Sequence, residues 1–563
     1  MRQIFVFAAI GAVSCIPPRD DLGAKPAAPP PTPAFVAAST PAAPAEMLRV
    51  SGEKIVDGEG RGVVLRGVAF GNQVWTDVAD PRKHHSEIDY ARIKDLGMNA
   101  VRFYLNDITF EDSNTPGQWK PSGWAWLDDN VAWAKKQGIY LVLNLHVPPG
   151  GYQSLGKGMG LWESPEAQAK FIALWKAIAE RYRSEPTIAG YDLLNEPVVT
   201  KSIGQWQDLA ERAIAAVRGV DPWHIVFVER VNAVGMDWAE NGDRNFFRVK
   251  DPNVVYEFHF YKPLHFTHQN AHWVELAAAD THYPDANVAG IEWFNVDWKT
   301  TTFQSPHLPP GDSDWTYYVG APYTAVDPSI AVGKPVLGCS RNSGKASFDD
   351  LVLEQLDSNG KPKRTIWSAD LHSKRGWFYW TKDGSGTASN ESAGHSNKDS
   401  VAISGNQSDA ALSADYLQFR VEPKGVYRLS GWMRGQAIPA QTTCQIRIDF
   451  YSAKAPVFAW DKSFLAYEID AYVNWGKRQR VPLFLGEFGA VRQTFEADRG
   501  GLRWANDMLD LINERQLNFT FHDYHEVYMG LFYGDDSLPD PANSNRALLG
   551  LLKSKLKPMS IAQ

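Results

Sequence analysis

Two glutamates stand where packing alone would not put a charge. Glu196 ends an apolar run in Leu193-Leu194-Asn195-Glu196-Pro197, and Glu487 ends another in Leu483-Phe484-Leu485-Gly486-Glu487-Phe488-Gly489. If these runs are strands four and seven of a barrel, both carboxyls point from strand ends into one mouth, where barrels carry their chemistry. Two carboxyls about 5 Å apart are equipped for glycoside hydrolysis with retention: one protonates the leaving oxygen and the other attacks the anomeric carbon. A lone strand-end glutamate usually makes a loop salt bridge, whereas a pair flanking one mouth reads as chemistry.

The elements that would have to hold this pair are legible as alternating apolar runs and amphipathic stretches. Candidate strands are Val63–Phe70, Asn99–Tyr104, Ile139–His146, Ile188–Asn195, Ile225–Glu229 and Val254–Tyr261. Their unbroken apolar character is what parallel strands covered on both faces require. Between them lie helices. One starts with Ser164 as N-cap and Pro165 at the first helical position, then buries Phe171, Leu174, Trp175, Ile178 and Tyr182 on one face.

The alternation stops after the sixth strand for about 200 residues. It resumes with a helix near Ser463–Trp475, a strand at Val481–Gly486, a helix carrying Leu502, Ala505, Leu509 and Ile512, and a strand at Asn518–Tyr524. Eight strands make an α/β fold, a (β/α)8 TIM barrel, with an insertion between strand six and helix six.

With the barrel drawn, a resemblance becomes specific. Asn195-Glu196-Pro197, Phe258-His259-Phe260-Tyr261 and Gly486-Glu487-Phe488-Gly489 resemble the signature of glycoside hydrolase family 5, of clan A, over residues 48–330 and 456–556. The resemblance implies Glu196 as acid/base and Glu487 as nucleophile. It further implies that Arg102 keeps the nucleophile ionised, that His146, Asn195, His259 and Tyr261 line the subsite where the bond breaks, and that no cofactor is needed. Read one by one, Arg102 is equally a structural ion pair, His146 a satisfied strand-end histidine, Tyr261 a core residue, and Trp75 either a sugar platform or core.

One departure concerns strand eight, where the family usually ends in a Trp platform. Here Phe519-Thr520-Phe521-His522-Asp523-Tyr524 offers none, which leaves His522 or Tyr524 for that place and puts substrate identity in doubt. His265, His268, His272 and His282 invite a metal reading, but Gln269-Asn270-Ala271 separates the close pair without a carboxylate base, so sugar contacts are expected and no metal.

The insertion has two parts. Residues 263–332, rich in Trp, His and Pro (Trp273, Trp293, Trp298, Trp315), show no clear period and would hang over the mouth as part of the barrel's first segment, 48–332. Residues 333–455 alternate: Leu417, Phe419 and Val421 with Gln418, Arg420 and Glu422, and Ile446, Ile448 and Phe450 with Gln445, Arg447 and Asp449. That is an antiparallel β-sandwich with one wet face, and it resembles a carbohydrate-binding jelly roll. Ala346-Ser347-Phe348-Asp349-Asp350-Leu351-Val352-Leu353 looks like such a module's last strand yet comes first, which suggests a permuted module whose ends meet. Cys339 and Cys444 would then be neighbours, as a disulfide or as two buried thiols. Trp432 stands for stacking or for packing. The barrel's second segment is 456–563.

Met1-Arg2 followed by the apolar run from Ile4 to Val13 reads as a signal peptide, too short to span a bilayer. Ala12-Val13-Ser14-Cys15 resembles a lipoprotein box, with residues 1–15 as the signal, Cys15 as the lipidated residue and a cell-surface or outer-membrane address, or else plain secretion. Residues 17–46 hold nine Pro and nine Ala, so the linker at 16–47 is an extended tether of about 90 Å. With 44% hydrophobic and 22% charged residues the rest is ordinary globular material, and a net charge of −8 argues against nucleic acid or an anionic membrane as partner. Aromatics at 12%, with 21 Trp, point weakly to flat ligands such as sugar rings.

The expectation is therefore a monomeric β-glycosidase acting on a polysaccharide. Within the resembled family β-1,4-glucan is the commonest substrate, with mannan, xyloglucan and β-1,3-glucan still open. The alternative is a surface lipoprotein that captures glycan without cutting it. Such a protein would have no need to keep Glu196, Glu487, Arg102 and Tyr261 together.

Overall fold

The structure is a computed structural model that describes residues 46–556, apart from 77–80, 112–117, 157, 275–279, 397, 415 and 535–536. Cys15, the signal segment and most of the linker lie outside the described residues, as does the side chain of Trp298.

Eight parallel strands close into a barrel: β1 (Arg66–Phe70), β2 (Ala100–Asn106), β3 (Tyr140–Val147), β4 (Ile188–Asp192), β5 (Ile225–Glu229), β6 (Val254–His259), β7 (Leu483–Phe488) and β8 (Asn518–Phe521). β8 pairs with β1 through Phe519–Arg66 and Phe521–Val68, which seals the cylinder. All eight strands are buried except at the margins of β1 and β3, as helices on the outside demand.

The helices form for local reasons visible in sequence. Ser164 accepts the Ala167 N–H through its side chain, Pro165 opens the helix Pro165–Tyr182, and Phe171, Leu174, Trp175 and Ile178 face inward. Trp175 donates its indole N–H to the Leu193 carbonyl at 3.0 Å, tying that helix to the chain just before Glu196. Asp461 caps the helix Lys462–Gln479 by accepting two N–H groups, from Ser463 and Phe464.

The insertion leaves after β6 and returns before that helix. Its sheet begins at Asp285–Gly290, well before residue 333, and continues through Val296–Gln304, Gly311–Val319 and Tyr323–Thr324. The boundary expected at 333 is therefore corrected toward the N-terminus. The strand Gly311–Val319 was hidden because, among the described residues, it pairs only with Val426–Ile438 and keeps both faces largely exposed, so no apolar alternation marks it.

Entry and exit run side by side, with Asp285 opposite Trp460 and Gly290 opposite Phe458. The sheet turns on one 27-residue strand, Ile330–Leu356, whose first half pairs with Thr443–Ala453 and whose second half pairs with Val426–Ile438. Straight, it would extend about 90 Å at about 3.3 Å per residue. Instead Phe450, opposite Gly333, and Tyr427, opposite Gln355, bring their rings within 6.2 Å. The sheet is thus doubled over, with Leu337, Phe348, Leu353, Ile403, Ile446 and Ile448 buried inside the fold.

Cys339 and Cys444 face each other across this pairing and are joined by a disulfide. The wet face expected around Gln445 and Asp449 is covered: both are buried, and Asp449 accepts the Arg447 Nε–H at 2.9 Å. At the barrel junction Lys262 Nζ lies 2.7 Å from Glu468 and 3.3 Å from Glu292, which stitches the start of the insertion to the following helix.

Candidate active site

Glu487 is clamped by three donors. Its Oε1 accepts from Arg102 Nη1 at 2.7 Å and from the Tyr104 hydroxyl at 2.5 Å, and its Oε2 accepts from the Tyr261 hydroxyl at 2.7 Å. Burial pushes the carboxyl up, but His259, His522 and Arg102 outweigh it and hold Glu487 well below the usual carboxylate range. The group is an anion aimed at the mouth.

Arg102 is itself fully buried and spends its remaining donors below the site. Its Nε donates to Asp192 at 2.8 Å and lies 3.0 Å from Glu257, while Nη2 donates to the Asn195 side-chain oxygen Oδ1 at 3.1 Å. Burial works against its charge, but the surrounding carboxylates keep it firmly protonated. Arg102 and Tyr104 are two residues apart on β2, so they share the face that looks into the barrel.

Glu196 follows β4 with a left-handed backbone, φ +43°. It keeps about 20% of its side chain open to solvent, whereas Glu487 keeps 5%. His259 Nδ1 lies 3.0 Å from Glu196 Oε1 and 3.5 Å from Glu487 Oε2, so this histidine sits between the two carboxyls. One oxygen of each glutamate and a His259 nitrogen all lie within 4.8 Å of one another. Burial alone raises Glu196, but the His259 hydrogen bond and charge overcome it and leave Glu196 below its ordinary value. For His259 burial opposes the charge, and Glu229 and Glu487 reverse this and lift it well above the ordinary histidine range.

The walls are aromatic. His146 stacks on Tyr104 at 4.0 Å, and its Nδ1–H donates to the Asn144 side-chain oxygen at 3.1 Å; burial keeps it neutral. His522 places Nδ1 3.0 Å from the Tyr104 hydroxyl and 4.0 Å from Glu487. Trp75, 38% exposed, stands edge-on to His522 at 6.4 Å and offers its open part at the rim. Asn195, beside Glu196, bonds Arg102 and the Ser154 hydroxyl.

Glu196, Glu487, Arg102, His146, Asn195, His259, Tyr261, Trp75 and His522 therefore converge on one mouth. Tyr524 does not, and its expected cleft role is corrected. It is fully buried, its hydroxyl donates to Asp89 at 2.7 Å, and its ring packs on Phe70 and Phe532. The chain turns after His522, where the Leu531 N–H reaches the Asp523 carbonyl, so the strand alternation that would have aimed Tyr524 inward is lost.

The histidine run disperses: His268 stands edge-on to Tyr261 at 4.9 Å, His272 packs on Trp273 and Tyr528, and His265 meets Tyr416. Among the described residues, the close-set groups that could hold a cation contain His259 with Glu196 and Glu487, or with Glu229 and Glu257. In the first set the oxygens of Glu487 are already taken by Arg102 and the two tyrosines.

Sequence reasoning missed Tyr104, signalled by its spacing from Arg102, and the buried carboxyls Asp192, Glu229 and Glu257. Glu229 carried a signal, since it too is a glutamate ending an apolar run.

Parts of the chain are similar to known proteins. Endoglucanase C of Acetivibrio thermocellus is 32% identical over 212 residues, which cover 37% of this chain and 60% of that protein. A β-xylosidase of Phanerodontia chrysosporium is 33% identical over 258 residues, covering 39% of this chain and 52% of that protein. The match thus spans less than two thirds of either relative. Among solved structures, the endoglucanase Cel5A of Thermotoga maritima aligns with a TM-score of 0.46 at 16% identity, over 87% of this chain and 96% of that one. Residues 56–315, which include Arg102, Asn195, Glu196, His259 and Tyr261, match the family of cellulases, glycosyl hydrolase family 5.

Proposed function

We propose that this chain is a retaining β-glycoside hydrolase that cuts a β-1,4-glucan by double displacement. The observation that carries the reading is the pair of carboxyls with oxygens within 4.8 Å, one clamped as an anion and the other partly open and paired with a histidine. That separation suits direct attack and leaves no room for the extra water an inverting mechanism needs.

In the first step a Glu487 oxygen bonds the anomeric carbon as the glycosidic C–O bond breaks, and the leaving oxygen takes a proton from Glu196. His259, held protonated, hands that proton to Glu196 across 3.0 Å as Glu196 delivers it to the leaving oxygen. In the second step Glu196, now a base, removes a proton from water, and the water oxygen displaces Glu487. Arg102, Tyr104 and Tyr261 fix the nucleophile so that its charge and lone pair are aligned before substrate arrives. The choice of β-1,4-glucan follows the endoglucanases among the relatives.

The test is product release from carboxymethyl cellulose, glucomannan, xyloglucan, xylan and laminarin, with Glu487→Ala as control. Release from the cellulose derivative that vanishes in the variant supports the reading. Release from another member alone corrects the glycan, and binding without release overturns the hydrolase in favour of glycan capture. We also propose that Cys15 carries a lipid and that the Pro/Ala segment holds the barrel off an extracytoplasmic surface. Radiolabelled palmitate incorporated by the wild type and lost in Cys15→Ala would support this, and incorporation retained in Cys15→Ala would defeat it.

A further inference from the structure

Glu229 does not reach the mouth, yet it touches the acid/base through the main chain. It ends β5, is fully buried, and its Oε2 accepts the backbone N–H of Glu196 at 2.6 Å. That N–H belongs to a residue at φ +43°, a conformation an L-residue holds only when its surroundings impose it.

The surroundings are a stitched pair of loops. Val198–Val199, after β4, pairs in parallel with Ala233–Val234, after β5, and the Asn232 N–H reaches the Pro197 carbonyl at 2.8 Å. Glu229 is the side-chain stitch at the head of this seam. Its own main chain is pinned by the Trp206 indole N–H on the Glu229 carbonyl at 2.9 Å. The helix Ile203–Arg218 that carries Trp206 starts only a few residues after Glu196, so strand, helix and loop close a ring around one backbone amide.

We infer that Glu229 is a positioning residue for the acid/base: its hydrogen bond to the Glu196 amide holds the backbone turn that presents the Glu196 carboxyl to the leaving oxygen. This rests on the hydrolase reading above and adds a group that never meets substrate. Glu229 has a second neighbour, His259 Nε2 at 3.6 Å, so a purely electrostatic role through that histidine is the competing explanation. His259 is faced by Glu196 from the end of β4, Glu229 from β5, Glu257 from its own strand and Glu487 from β7.

Two substitutions separate bond from charge. Glu229→Gln keeps a carbonyl oxygen for the Glu196 amide and removes the charge, whereas Glu229→Asp keeps the charge and withdraws the oxygen by one methylene. If the hydrogen bond positions Glu196, Glu229→Asp slows aryl β-glycosides with poor leaving groups about a hundredfold. Dinitrophenyl glycosides, which need little acid assistance, change by about threefold or less, and Glu229→Gln, which removes a charge beside His259 but keeps the bond, loses clearly less than Glu229→Asp on the poor leaving groups.

A loss in Glu229→Gln equal to that in Glu229→Asp would overturn the inference in favour of charge. A loss that ignores the leaving group, or no loss in either variant, would overturn it as well. Amide hydrogen exchange of the peptide spanning Glu196 gives an answer independent of turnover. Faster exchange in Glu229→Asp but not in Glu229→Gln supports the positioning bond, and unchanged exchange in both defeats it. A wild type that hydrolyses no glycoside would defeat the hydrolase reading while the exchange result still decides the bond.

Discussion

The barrel and the inserted sheet bury polar side chains in different ways. In the barrel, Arg102, Asp192, Glu257, Tyr104, Tyr261 and Glu487 meet one another, side chain to side chain, at distances from 2.5 to 3.0 Å. In the insertion several buried polar groups serve the backbone, while Asp449 pairs with the Arg447 side chain. Asn342 bonds the Ile403 carbonyl, Asn406 the Cys339 carbonyl, and Asp349 accepts the N–H groups of Asp350 and His395. Polar groups that bond the main chain hold a shape. Charged groups that bond each other set protonation states, and that is what general acid and nucleophile require.

The largest effect that could break this contrast lies at its centre. Glu487→Ala removes the attacking oxygen, and turnover should fall by about ten-thousandfold or more. Azide should restore part of it on activated aryl glycosides by occupying the vacated space. Residual activity near wild type would mean that the buried charge stack under Glu487 is architecture after all.

How much of this was legible beforehand differs between the regions for the same reason. Parallel barrel strands are covered on both faces, so most read as largely apolar runs, and the charges ending two of them, Glu196 and Glu487, stood out. The insertion's strands announce themselves only where one face is buried. Leu417, Phe419 and Val421 did so, while Gly311–Val319, an edge strand exposed on both sides, did not. Within the site, alternation placed Arg102 and could have placed Tyr104. It failed at Tyr524, where the chain turns out of the strand. Glu229 and Asp192 were readable as residue types, but their partners are set by three-dimensional closure, since the Glu229–Glu196 contact joins residues 33 apart.

A smaller effect tests how the barrel sets protonation. Tyr261→Phe removes one donor from Glu487 Oε2 and leaves Arg102 and Tyr104 on the other oxygen. Loss of one such donor should lower kcat by about ten- to a hundredfold. The sign of the pH effect follows from the direction of the shift. Glu487 is held below the ordinary glutamate value, so the wild-type acidic limb lies below that value. Removing a donor to the anion raises Glu487 toward it, and the acidic limb moves to higher pH. A limb that stays put or moves down would show that Tyr261 does not act on the nucleophile's charge. The same depression makes Glu487 a source of stability that is present above the ordinary glutamate value and lost as pH falls through the folded-state value.

The smallest effect on turnover belongs to the insertion. The disulfide closes a loop of 105 residues, and in the chain-entropy picture removing it costs the insertion up to about 4.7 kcal/mol. Cys339→Ser with Cys444→Ser should therefore lower the insertion's unfolding transition in calorimetry and make its strands more susceptible to protease. The barrel should hardly register the change, because its strands pair with one another and its charge stack contains no residue from the insertion. At the wall the Arg375 guanidinium donates to the Ala271 carbonyl at 2.9 Å and Tyr416 meets His265, and at the junction Lys262 reaches Glu292. Since Trp273 and His268 belong to that wall, a loosened insertion would act on substrate binding before it acted on chemistry. The expected result on a soluble aryl glycoside is an unchanged kcat and a KM within about twofold, since small shifts away from the reacting atoms alter ground-state and transition-state binding alike. A fall in kcat would mean that the inserted sheet helps to hold the carboxyl pair, and the division between a shape-holding insertion and a charge-setting barrel would have to be redrawn.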